Sequence, residues 1–156
     1  MATGATISTI KAGLKTAYQA ISLPGGLGLP TVITRELDGL PASFPYVEIH
    51  TNPTQSITQP RDDGSYQVTR RFIARLYTAL LPDDTPSIED ADYIKAENCI
   101  ETVEDYFYFT SDRLSVAFVT RHILTADTAA VQLFTRANRN CVGVAFEHQV
   151  EYYRMR

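Results

Sequence analysis

Cysteine is scarce in this chain, with only Cys99 and Cys141 among 156 residues, and tryptophan is absent. Two thiols are too few for a disulfide framework, so the sequence reads as one made for a reducing cytoplasm. Long apolar runs are missing as well: nothing approaches the roughly twenty apolar residues of a membrane-spanning helix. The first residues show no basic region followed by an apolar signal segment. The expectation is therefore a protein neither exported by that route nor inserted in a bilayer. Positive charge is the minority sign, with 14 lysines and arginines against 18 acids for a net charge of −4. That balance argues against a reader of DNA sequence. A phosphate cradle is excluded too. Pro24-Gly25-Gly26-Leu27-Gly28-Leu29-Pro30 is rich in glycine, but no strand precedes it, no helix start follows Gly28, and no Gly-Lys-Ser/Thr sequence occurs.

What is present suffices for one core. At 44% hydrophobic residues, a chain of this length makes a single domain over 1–156 and is too short for two. The acids are concentrated: Asp83, Asp84, Glu89, Asp90, Asp92, Glu97, Glu101, Glu104 and Asp105 are nine of the 18, with only Lys95 among them. Most of them fall in Ser87 to Phe109, SIEDADYIKAENCIETVEDYFYF. Ser87 followed by Asp90 suits a helix N-terminus, because hydroxyl and carboxylate satisfy amides of the first turn. Tyr93, Ala96, Ile100, Val103 and Phe107 recur at steps of three and four and predict one apolar face. Asp90, Glu97, Glu101 and Glu104 share another. The helix thus carries an acidic ridge, whose plainest meaning is a solvated face.

Ile7, Ile10, Leu14, Ala17 and Ile21 predict a first amphipathic helix, with Gly13 as its weak point. The Pro/Gly stretch at about 24–31 ends it as a flexible loop. Val32 to Leu37 reads as a short strand. Tyr46 to His50 reads as a better one, Tyr46, Glu48 and His50 alternating against Val47 and Ile49. Thr51 to Gly64, with two prolines and a terminal Asp-Asp-Gly, reads as a long hairpin-like excursion, a loop at about 51–65 available to a neighbour. Tyr66 to Tyr77 is a long strand: Val68, Phe72, Ala74 and Leu76 point one way, with Arg70 as the exception, and Thr69, Arg71, Ile73, Arg75 and Tyr77 the other. Arginine beside Ile and Tyr is a combination enriched at protein interfaces, though an ordinary solvent face would look the same. Leu114 to Leu124 fits either a strand or a helix extension. Val131 to Arg136 is a strand, Ala137 to Asn140 a four-residue turn, and Val142 to Tyr153 an alternating strand with Val142, Val144, Phe146, His148, Val150 and Tyr152 on one side. Helix, strands, helix, strands predicts an α+β fold, a mainly antiparallel sheet with two helices packed on one face.

No residue set carries an evident reaction. His148 and Glu151 have the spacing of a helical metal pair, but on a strand an odd separation puts them on opposite faces. His148 sits among apolar positions, where a satisfied core histidine is expected, and neither cysteine has the setting of a reactive thiolate. The ridge offers carboxylates without an opposing group for glycoside hydrolysis or a metal. Neither enzyme activity, cofactor nor metal is expected.

The segment order as a whole resembles a known family. An amphipathic helix, a Pro/Gly loop, PYVEI, a long loop, RRFIARLY, an acidic helix and a closing strand pair ending FEHQVEYYR are similar to the tail terminator proteins of long-tailed bacteriophages, the minor tail protein U family. The resemblance implies a virion structural protein at the head-proximal end of the tail, assembled in the host cytoplasm. It implies a homo-oligomeric ring, a hexamer, that caps the tail tube protein, stops its polymerisation and offers the surface joining a head-side neck protein. Arg71, Ile73, Arg75 and Tyr77 are then candidates for one side of the subunit contact, and Glu97, Glu101 and Glu104 for the other. Alternatively Asp90, Glu97, Glu101 and Glu104 line the channel through which DNA passes. Gln55, Ile57, Gln59, Arg61, Asp62 and Asp63 are candidates for touching the tube or neck. A neck adaptor, another minor tail protein or, more remotely, a small hydrolytic enzyme are the alternatives.

Overall fold

The computed structural model describes residues 4–82, 87–110, 114–125 and 129–155, with nothing said of the side chains of 53–59, 109 and 110. Two helices, α1 (Ile7–Gln19) and α2 (Asp90–Thr110), accompany six strands: β1 (Thr31–Ile33), β2 (Tyr46–Pro60), β3 (Ser65–Leu80), β4 (Val119–Thr125), β5 (Val131–Arg136) and β6 (Arg139–Met155). The strands form one sheet in the order β1-β2-β3-β6-β4, with β5 also paired to β6. Only the β1–β2 pairing is parallel. The fold is α+β, as the segment order implies.

The period-2 patterns account for the two sides of the sheet. Val47 and Ile49 of β2, Val68, Phe72, Ala74 and Leu76 of β3, and Val142, Val144, Phe146, Val150 and Tyr152 of β6 pack with both helices in the main core. From α1 come Ile10, Leu14 and Tyr18, and from α2 Ala96, Cys99, Val103 and Phe107. The seam of α2 therefore runs 96-99-103-107 and differs from the expected face in two places. Cys99 is fully buried, whereas Tyr93 is 43% exposed, because it lies outside the stripe that touches the sheet. The helix begins at Asp90, three residues after Ser87, with Asp90 and Asp92 in its first turn, where negative charge suits the unpaired amides.

Other boundaries shift for tertiary reasons. α1 is closed by a reciprocal cap in which Thr6 and Thr9 each accept from the other's backbone amide. Gly13 is a contact point: a Cβ there would stand 2.4 Å from Val116 Cγ2. The 24–31 stretch is a turn closed by Leu23 N–H to Gly28 O at 2.9 Å and Gly28 N–H to Leu23 O at 3.2 Å. β1 stops at Ile33, and the chain from Thr34 to Pro45 crosses the face of the sheet away from the helices. There Leu37, Leu40 and Phe44 cover a second cluster of Tyr46, Tyr77 and Cys141.

The expected loop at 51–65 is a hairpin. β2 continues to Pro60, pairs antiparallel with β3 through register shifts after Thr51 and Ile57, and turns over Arg61–Gly64. Its prolines are tolerated because β1 pairs with β2 only at Tyr46–Glu48, so the rest of β2 lies on an edge where a missing amide costs no ladder bond. Of the ambiguous segment Leu114 to Leu124, the part from Val119 onward is strand β4, while Leu114 to Phe118 is neither strand nor helix. The turn before β6 is shorter than expected, Ala137 and Asn138 alone, both with positive φ (48° and 61°), the two-residue geometry whose twist suits a hairpin.

Candidate functional site

Arg71, Ile73, Arg75 and Tyr77 do share one face of β3, the side away from the helices, but the structure gives them different tasks. Tyr77 is fully buried and Arg75 is turned inward, both toward Glu48. Glu48, opposite Arg75 in the β2–β3 register, has no exposed surface. Its Oε1 accepts from Tyr77 Oη at 2.6 Å, Arg75 Nη1 at 3.3 Å and Arg136 Nη2 at 2.5 Å, and its Oε2 accepts from Leu37 N–H at 2.6 Å. Arg136 Nε in turn donates to Tyr77 Oη at 3.0 Å. Burial alone would raise the Glu48 carboxyl. The hydrogen bonds from Tyr77 and Leu37 and the charges of Arg136 and Arg75 outweigh it and hold the group below its ordinary value. Burial and the bond to Glu48 push the Tyr77 hydroxyl up to about 12.

A buried ion pair gains little over well-packed apolar groups but is costly to break. The Glu48 cluster is therefore best understood as a clamp, tying the 34–45 crossover through Leu37 and the end of β5 through Arg136 to the middle strands. Sequence reasoning missed it because its members are scattered over positions 37, 48, 75, 77 and 136. The available signal was a glutamate between Val47 and Ile49 in a strand, where that residue is disfavoured.

Of the remaining expected contact residues, Arg71 is half-exposed and pairs with Glu147 at 3.1 Å, and Ile73 is half-buried beside it. Arg121 of β4 pairs with Glu151 at 3.9 Å. The arginines of this face thus neutralise carboxylates of their own chain. The acidic residues of α2 behave differently. Asp90, Glu97 and Glu101 are exposed and Glu104 half-buried, on the other side of the sheet, and among the described residues none of them forms an ion pair. The two sets do not meet within one chain. The sequence matches no protein-family model and no curated protein.

At the hairpin tip Arg61, Asp62 and Asp63 are exposed; Arg61 lies over the Tyr153 ring at 4.9 Å and Asp63 accepts from the Ser65 amide at 2.9 Å. Gln55, Ile57 and Gln59 follow the backbone of β2, and their side chains lie outside the described residues. No group of three histidine, cysteine or acidic side chains is arranged to hold a metal among the described residues. No described helix is long and apolar enough to cross a membrane.

A second polar set lies inside the helical side. Tyr18 Oη and His148 Nε2 are 2.6 Å apart, and His148 Nδ1 and His122 Nε2 are 2.8 Å apart. His148 is the core histidine that its apolar neighbours imply, fully buried and satisfied. His122 forms part of the wall of a cleft of about 580 Å³ between the end of α2 and β4, together with Tyr108, Thr120 and Arg121. Cys99 and Cys141 are both buried, and burial pushes the Cys99 thiol up to about 11.

Proposed function

We propose that this chain is a virion structural protein of the tail-terminator type. It closes into a ring of about six subunits on the head-proximal end of a tail tube, halts tube growth and offers the head-side surface. The segment order supports this reading, as does a sheet whose two sides are unlike each other. A closed ring needs two different patches that meet head to tail.

The observation that carries the assignment of surfaces is the contrast in charge pairing. The arginines opposite the helices are already paired within the chain, whereas the ridge Asp90, Glu97, Glu101, Glu104 has no counter-charge among the described residues. An unpaired acidic ridge suits a channel wall better than a dry contact, where uncompensated carboxylates are costly. Facing a lumen, it repels phosphate and lets DNA pass without adhering. The subunit contact then falls to the neutralised face around Arg71 and Ile73, and the hairpin tip at Arg61–Asp63 reaches the tube or the neck.

Light scattering over a range of protein concentration, with negative-stain images, tests the ring. A species of about six subunits, formed alone or on addition of tube protein, is expected. A monomer that neither assembles nor binds tubes refutes the reading.

A further inference from the structure

Two dipeptides of identical chemistry occur in the chain, Asp38-Gly39 in the 34–45 crossover and Asp63-Gly64 at the hairpin tip. Both aspartates and both glycines are exposed, and both glycines have positive φ, 84° and 82°. We propose that Asp38 is a site of spontaneous isoaspartate formation, that the hairpin turn protects Asp63 from the same reaction, and that conversion at Asp38 loosens the crossover.

The reaction needs only water. The Gly39 nitrogen attacks the Asp38 side-chain carbon Cγ, a C–N bond forms, the amide hydrogen leaves with the carboxyl hydroxyl as water, and a five-membered succinimide results. Water then reopens the ring. Attack at Cγ restores aspartate, whereas attack at the Asp38 main-chain carbonyl breaks the original peptide bond. The chain then runs through Cβ and Cγ, with a free α-carboxylate, and neither mass nor oxidation state has changed overall. Glycine on the C-terminal side favours the closure, because it has no side chain to crowd the attacking nitrogen and adopts the conformations that closure requires.

Space does not separate the two sites, since a Cβ built at either glycine would meet nothing within 4 Å. Hydrogen bonding does. At the hairpin tip Gly64 N–H donates to Arg61 O at 3.1 Å, and Arg61 N–H donates to Ser65 O at 2.7 Å. The Asp63 carboxylate accepts from the Ser65 hydroxyl, and from the Ser65 amide at 2.9 Å. The hydroxyl bond first, then the amide bond, hold the Asp63 carboxyl below its ordinary value, and the ionised form is the poorer target for attack. Nitrogen and carboxylate are each engaged elsewhere, so the turn must open before they react. At the other site Gly39 N–H has no hydrogen-bond acceptor among the described residues. The Asp38 carboxylate meets the Arg35 guanidinium at 3.4 Å, with the two side chains 96% and 71% exposed, and so open a contact restrains it little. The place in the fold sets the consequence. On one side of Asp38-Gly39 the Leu37 N–H is held by Glu48 Oε2 at 2.6 Å, and on the other Leu40 covers the second cluster. An extra backbone carbon between those anchors puts them out of step.

The test incubates the intact chain near neutral pH and follows it by peptide mapping with electron-transfer fragmentation, which tells isoaspartate from aspartate. Isoaspartate should accumulate about tenfold faster or more at Asp38 than at Asp63, since the bonds to Ser65 and Arg61 must break before Asp63 reacts. In the chain unfolded by guanidinium the two rates should come close together. Ser65→Ala should raise the rate at Asp63 about threefold or more in the folded protein and leave that at Asp38 unchanged. Protein converted at Asp38, separated by ion exchange, should lose hydrogen-exchange protection at the Leu37 amide while the amides of β6 keep theirs. Folded-state rates that are equal, or faster at Asp63, overturn the proposal without any variant having to fold. So does a rate ratio that persists on unfolding, an Asp63 rate unmoved by Ser65→Ala, or full Leu37 protection after conversion.

Discussion

Replacing Glu48 with glutamine keeps the shape of the clamp and removes its charge. One carboxylate oxygen becomes an NH₂ group, yet all four contacts to the original side chain are donors: Leu37 N–H, Tyr77 Oη, Arg75 Nη1 and Arg136 Nη2. At least one donor then faces another donor, and two guanidinium groups lose their counter-ion. Breaking a fully buried pair costs about 3–5 kcal/mol. Arg75 and Arg136 retain 29% and 17% side-chain exposure, so water recovers part of that. We expect a loss of about 3 kcal/mol in urea unfolding at pH 7, with the slope of the transition unchanged. The same change should lower Tm by roughly 6–12 °C. The carboxyl is held below its ordinary value, so its contribution is present above the unfolded value of about 4.3 and disappears as pH falls through the lower folded value. The gap between wild type and Glu48→Gln should therefore narrow as pH falls below about 4.3. Tyr77→Phe should cost about 1.5–2 kcal/mol alone and markedly less when added to Glu48→Gln, since the two share one hydrogen bond. A Glu48→Gln loss under about 1 kcal/mol at pH 7 would refute the clamp.

At Gly143 a Cβ would stand 2.2 Å from the carbonyl oxygen of Leu76 and 3.1 Å from the Phe134 ring. Gly143→Ala should therefore cost about 2–3 kcal/mol despite its entropic advantage in the unfolded chain, read as a lower urea midpoint. The Cys99 thiol, buried and raised to about 11, should resist a thiol reagent at pH 8 until the protein unfolds, and rapid labelling of the native state would contradict its place in the core. On the proposed ring reading, Glu97→Gln with Glu101→Gln should leave the assembly seen in light scattering intact, whereas Glu97→Lys with Glu101→Lys should leave it closed but make it retard DNA in a gel. Loss of the ring in the glutamine variant would move the ridge from the channel to the subunit contact.

The parts of this fold legible in the sequence are those where burial of one face imposes a period. β6 and β3 show their two sides in plain alternation because each buries one side against helices, and the core positions of α1 follow the same logic at its own period. What escaped was set by distant partners. β2 holds two prolines and few apolar residues beyond Thr51, and becomes a strand because β3 lies beside it. Tyr93 looked like a core residue by spacing alone, but it falls outside the buried stripe 96-99-103-107 and stays exposed. Neither the Glu48 clamp nor the Tyr18–His148–His122 chain has a local signature, since each assembles from segments more than a hundred or several tens of residues apart. The candidate surfaces fared unevenly for a related reason. Spacing told correctly which side of β3 each residue takes, but not that Tyr77 and Arg75 on that side would be drawn inward.

β6 borders β3 along one side, and β5 and β4 end to end along the other. It is made after every strand that it joins. While the chain is being synthesised, the β2–β3 hairpin can pair locally, but β3 then ends in an open edge with Val68, Phe72, Ala74 and Leu76 waiting for a neighbour. β4 and β5, for their part, have no strand between them and that edge. The half-made protein is therefore the form most exposed to sticking to copies of itself, since an uncovered strand edge is a template for pairing. Completion of the sheet is a single late event at one strand.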